Sequence, residues 1–181
     1  MQDSVRQKIG SIALTWNQAE VALRDIVNLY VDIDALTFGL IIRPLNTASL
    51  EKLLRKLISA KEPERTITAE INASLDRIRI CRENRNTILH RIGELSGNLT
   101  AESEMLIARS LEEMNAERQF MLALKLNLTV IIFDRAARHV PNDEDESGED
   151  ESRPVVAFNP PARPNRPIEL DFNLLQTTNV N

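Results

Sequence analysis

Apolar positions recur at helical spacing over most of the first 140 residues. Ile9, Ile12, Ala13, Trp16, Leu23, Val27 and Tyr30 fall on one face of a helix predicted over roughly 4–31. Arg43-Pro44 interrupts the chain, because proline cannot continue a helix and restricts the residue before it. A second helix is predicted from Asn46-Thr47 to about Ala60, carrying Leu50, Leu53, Leu54, Leu57 and Ile58, with Lys61-Glu62-Pro63 as its stop. A third is predicted over roughly 67–91, with Thr66 or Thr68 as the N-cap. Residues 93–109 have no clear period. Gly93 and Gly97-Asn98 punctuate them, and Met105-Leu106-Ile107 fits a short strand as well as a helical turn. Ser110-Leu111-Glu112-Glu113 has the capping-box pattern, so the fourth helix is placed at roughly 110–138. The expected fold is all-α: a four-helix bundle with a short hairpin or irregular segment between the third and fourth helices.

The pattern stops at Pro141. Asn142 to Arg153 holds seven acidic residues and one basic, and Pro154, Pro160, Pro161, Pro164 and Pro167 follow. A segment of this kind offers little apolar surface against its ordering entropy, which predicts a largely disordered tail over 141–181. Val155-Val156-Ala157-Phe158 and the stretch from Ile168 to Leu175 are apolar islands, and they open the alternative of a docking segment. Charge divides at the same place. Residues 1–141 hold 19 Lys/Arg against 18 Asp/Glu, and residues 142–181 hold three against nine, so the net charge of −5 belongs to the tail. The body is near neutral, and its charge neither requires nor excludes nucleic acid. The expected division is a helical domain at 1–140 and an acidic, proline-rich tail at 141–181.

Several polar residues lie on apolar stripes. With Ile67 at zero and about 100° per residue, Ile71, Leu75, Ile78, Cys81, Leu89 and Ile92 stay within about 80°. Arg85 returns to about 0° and Arg82 to about 60°, while Asn86 and His90, four apart, flank the stripe. A guanidinium in a buried stripe must be paired or must line a cavity. Glu20 lies on the apolar face of the first helix between Trp16 and Leu23, so an ion pair of Glu20 with Arg82 or Arg85 is expected. The alternative is a solvated helix end where the arginine stems snorkel.

Other chemistry is thinly represented. One cysteine, Cys81, excludes an internal disulfide and any cysteine-rich zinc site, and its place in the apolar stripe reads as core packing. His139, beside Arg135 and Arg138, reads as compensation of a helix dipole. With two histidines, no transition-metal cluster is expected, and no glycine-rich phosphate loop or serine nucleophile elbow is present. The N-terminus lacks the basic and apolar regions of a signal peptide, and no apolar run reaches the roughly 20 residues of a membrane span. A soluble, cytoplasmic protein without a cofactor is expected.

Arg85-Asn86-Thr87-Ile88-Leu89-His90 resembles the R-x4-H motif of the HEPN superfamily, in its RN-x3-H form. The first helix, with Trp16-Asn17-Gln18-Ala19-Glu20, is similar to HEPN first helices carrying an aromatic residue and a Glu at that spacing. The resemblance covers roughly 1–140 and departs at one point: many relatives have Gly directly after the His, whereas Arg91-Ile92 precede Gly93 here. It implies a four-helix domain that pairs as a homodimer and cleaves RNA without a metal. The RNA 2′-hydroxyl would attack the adjacent phosphate, leaving a 2′,3′-cyclic phosphate and a 5′-hydroxyl. In that chemistry His90 is the general acid or base. Arg85 clamps the phosphate, Asn86 orients the phosphate or the His, and Glu20 and Arg82 support them. An RNA target and a protein partner such as an antitoxin belong to the same implication. Two other readings compete with it: a catalytically silent HEPN-like dimer that binds RNA, a nucleotide or a protein, and an unrelated helical interaction domain.

Overall fold

In the computed structural model the described residues are 3–31, 33–94, 98–138, 155–171, 175 and 177–178. Among the described residues the regular elements are helices and one two-residue strand pairing. The elements are α1 (Asp3–Tyr30), α2 (Ala35–Ile41), α3 (Thr47–Lys61), α4 (Arg65–Glu94), β1 (Asn98–Leu99), α5 (Ala101–Arg138) and β2 (Thr177–Thr178). The all-α class is as expected, with five helices described where four were read, the short α2 being the additional one. Asp34 caps α2 by accepting from the amides of Leu36 and Thr37, and no α2 residue is buried. Seven residues reading ALTFGLI are too short to show a period, which is why the pattern misses this helix.

α2 also sets the topology. Glu20 bonds Thr47 and Tyr30 bonds Glu62, so α1 and α3 run parallel. Ten residues of α1 rise about 15 Å, and the 31–46 crossover containing α2 returns the chain over that distance. α5 is parallel to α1 as well, since Arg118 donates to Gln18 and Lys125 pairs with Asp25. α4 runs against α3, with Arg55 on Asn72 and Asp76 and Arg82 on Glu51.

The expected start of the last helix is corrected. α5 begins at Ala101, with Thr100 accepting from the Ser103 amide as a cap, so Ser110 is an interior residue and not an N-cap. Buried positions from Ser103 to Ile131 alternate four and three residues apart without a break. That seam carries the helix through Met105-Leu106-Ile107, and no strand forms there. Ser110 lies buried in the seam, and its hydroxyl has no hydrogen-bond partner. The α4 caps are corrected too, because Thr66 and Thr68 both lie inside a helix that starts at Arg65. Of the irregular segment, β1 pairs antiparallel with β2, matching Asn98 to Thr178 and Leu99 to Thr177.

α4 buries more than the single stripe expected of it. Ile67, Ile71, Ser74, Leu75, Ile78 and Cys81 are buried, but so are Arg77, Ile80 and Asn84, well round the helix. The second group faces α5 and the tail. Arg77 pairs with Glu117 on α5 at 2.7 Å, with both side chains at 6% exposure or less. Ser74 also donates to Glu117, and the Arg77 guanidinium stacks over the Phe120 ring.

The described part of the tail lies in the groove between α4 and α5. Arg163 bonds Glu70, the Ile168 amide donates to Glu113, and Arg91 donates to the Leu175 carbonyl. Asn84 mimics a peptide unit: its amide donates to the Ile168 carbonyl at 2.6 Å and its oxygen accepts from the Leu170 amide at 2.9 Å. Leu175 is fully buried in the core cluster, and Pro167 is buried as well. These are contacts of the kind the docking alternative describes. The physical reason is twofold. Prolines restrict the free chain, so ordering it costs less, and Asn84 supplies partners for backbone that a helix face normally leaves unpaired. The acidic run 142–153 and His139 lie outside the described residues.

Truncation after Val140 tests what this docking contributes. It uncovers core around Leu175 and leaves buried Asn84 without its partners. A melting temperature about 10 °C below the full chain is expected in calorimetry, since each kcal/mol shifts a chain of this size by about 2–4 °C. A shift under about 3 °C would mean that the contacts contribute nothing net.

Candidate functional site

One cleft of about 610 Å³ brings the sequence-derived candidates together. Ala13, Leu14, Trp16, Asn17 and Glu20 from α1 line it, with Asn46, Thr47 and Ala48 at the start of α3 and Arg82, Arg85 and Asn86 from α4. Its size lies within the usual range for small-molecule pockets, about 300–1,000 Å³. Each wall has a local cause. Trp16 and Ala19 are buried, which turns Asn17 and Glu20 toward the cleft rim. Asn46 caps α3 by accepting from the Ser49 amide, so the positive end of that helix dipole faces the cleft.

The expected Glu20–arginine pair across the cleft does not form. Glu20 accepts instead from Arg24 at 3.1 Å and from the Thr47 hydroxyl at 2.8 Å. Arg82 pairs with Glu51 at 2.6 Å. Arg24 is one turn from Glu20 on the same helix, and Glu51 lies on the α3 face that meets α4, so both partners are nearer than the opposite wall. Burial pushes the Glu51 carboxyl above its usual range, against the pull of Arg82. The sequence signal for Glu51 is weaker than that for Glu20: it flanks the α3 stripe at about 100° from Leu50, whereas Glu20 lies within that of α1.

Arg85 is left as the cation without a carboxylate. Its Nη1 donates to the Asn86 side chain at 2.9 Å, its Nε is buried with no partner, and no acid lies within ion-pair distance among the described residues. A half-buried guanidinium beside a helix N-terminus in a cleft is an anion site by charge and by donor geometry. Asn86, next to it, has amide donors to offer.

His90 stands apart. It is exposed and does not line the cleft. Five residues along α4 place it about 7.5 Å further on and about 140° round from Arg85. It shares a face with Asn86 only. One chain therefore presents the phosphate-binding cation and the imidazole in different directions.

No family model, curated protein or solved structure matches this chain. Among the described residues, no three His, Cys, Asp or Glu side chains converge on a point that could hold a metal ion. No described helix is long and apolar enough to cross a membrane. Cys81 is buried on the core side of α4, and burial pushes its thiol up to about 12.

Proposed function

We propose that the chain is a metal-independent endoribonuclease of HEPN type that works as a homodimer. The observation that carries this reading is Arg85: it lacks an acidic partner, it is half-buried in the cleft beside the α3 N-terminus, and it sits in the RN-x3-H pattern with His90. In this reading Arg85 and Asn86 hold the scissile phosphate. His90 moves a proton between the 2′-hydroxyl, the leaving 5′-oxygen and solvent. Because His90 and Arg85 point apart on one chain, a second copy of α4 supplies the facing imidazole. Glu51 and Glu20 hold Arg82 and Arg24, so they limit the positive charge of the cleft to Arg85. A protein that blocks the cleft, such as an antitoxin, is a natural partner for such an enzyme.

A second reading is a silent HEPN-like module that binds RNA or a nucleotide without cutting. The exposure of His90 outside the cleft favours it. The deciding experiment incubates the full chain with total RNA in EDTA, beside Arg85→Ala and His90→Ala. Cleavage by the wild type with 2′,3′-cyclic phosphate ends supports the nuclease. Binding that needs Arg85 but gives no product supports the silent module. Absence of both overturns the two together.

A further inference from the structure

α1 and α5 leave an apolar face uncovered on the side away from the core. On α5, Leu122, Leu126, Val130 and Phe133 form one stripe opposite the buried seam, and on α1 Leu14 and Val21 do the same; all six are between 40% and 68% exposed. The two stripes flank one rim, where Arg118 meets Gln18 and Lys125 meets Asp25, so they open on the same side of the helix pair. Charge on this face is sparse: Lys125 is paired with Asp25, Arg118 keeps its charge while bonded to the uncharged Gln18, and the outward positions Asn28 and Gln119 are uncharged. Asn127 and Thr129, beside the stripe, already bond carbonyls of their own helix. Water can leave such a surface at little polar cost.

We infer that this face binds a second copy of the chain, with the two α5 helices antiparallel about a two-fold axis near Leu126. Three observations select that occupant. A surface with so little charge does not attract a polyanion, and it can meet its own copy with little like-charge repulsion. The register is self-complementary. Leu122 and Val130 lie four residues either side of Leu126, so each meets the other across the axis. Gln18 beside Arg118 and Asp25 beside Lys125 put Val21 level with residue 121. Phe133 of one copy falls opposite residue 119 of the other, within one helical turn of the level of Val21. The area also suffices. Six large apolar side chains, each 40% to 68% exposed, make a patch on the order of a few hundred Å² per copy, the size that serves partners. Leu14 borders the cleft as well, but Arg85, Asn86 and the rest of α4 take no part in this contact, so the inference does not rest on the ribonuclease reading.

Sedimentation equilibrium of the full chain up to roughly 200 µM tests it, with self-association in the micromolar range expected. Leu126→Glu should weaken the dissociation constant at least tenfold, while Leu40→Glu, on exposed α2, should leave it unchanged. If α4 also pairs with its copy, the wild type is a tetramer that Leu126→Glu reduces to a dimer, which supports the inference equally. Leu126→Cys should form an intermolecular disulfide under mild oxidation. The wild type should not, because Cys81 is buried. A monomer at the highest concentration overturns the inference. Self-association that Leu126→Glu leaves intact overturns it too.

Discussion

Replacing Glu117 with alanine should lower the unfolding free energy by about 3–5 kcal/mol, read from urea denaturation. Glu117 is 1% exposed and is held by Arg77 and Ser74. Its removal strands a guanidinium that is itself buried, and a buried cation without a counter-charge is among the costliest single lesions. Truncating Arg77 as well should recover much of the loss. The double variant Arg77→Met/Glu117→Met should therefore be more stable than Glu117→Ala. A double variant as unstable as the single one would show that the cost is packing around Phe120 and not charge.

The same residue gives a pH dependence. Burial raises the Glu117 carboxyl above its ordinary 4.5, outweighing the lowering by Arg77 and Ser74. The folded state then holds this proton more tightly than the unfolded chain does. The stability it contributes is complete below pH 4.5 and is lost as pH rises through the raised folded value. Glu117→Gln cannot titrate, so the wild type should lose stability relative to it between about pH 4.5 and neutrality. A constant difference across that range would show that the folded-state value is not raised.

The second large effect is on chemistry. Under the ribonuclease reading, His90→Ala should reduce RNA cleavage by about 10²–10⁴-fold, the usual worth of one general acid or base. The melting temperature should not move, because His90 is exposed. Arg85→Ala should abolish cleavage with little loss of stability. The stripe position of Arg85 predicts a buried ion pair whose loss would destabilise the fold, but the side chain is only half-buried and strands no carboxylate when removed. Cleavage should persist in EDTA and should fail on RNA with a 2′-deoxy sugar at the scissile position. Magnesium dependence, or full activity in His90→Ala, would reject this mechanism.

The sequence by itself determined what local physics controls. α1, α3 and α4 begin and end within about three residues of the positions read from apolar period, proline and caps, because those signals act over one or two turns. Glu20, Arg82, Arg85 and Asn86, singled out on their stripes, line one cleft, while His90 does not. A polar group on an apolar stripe must end in a pair or at a cavity, wherever the partner comes from. Only the tertiary structure decided which pairs form. Glu20 lies within its apolar stripe and Glu51 only at the flank of its own, yet the parallel α1–α3 packing, set by the α2 crossover, gives Arg82 to Glu51 and Thr47 to Glu20. The start of α5 at Ala101 rests on a seam that needs α1 and α4 beside it, so the local capping box at Ser110 misleads. The tail follows the same rule. Its composition predicts disorder because composition counts only what the segment contains, whereas Asn84, Glu113 and the core around Leu175 lie 55 to 86 residues away in the chain or in the packed helices. Contacts at that separation leave no trace in a local window, and here they decide both the tail and the partners of the cleft.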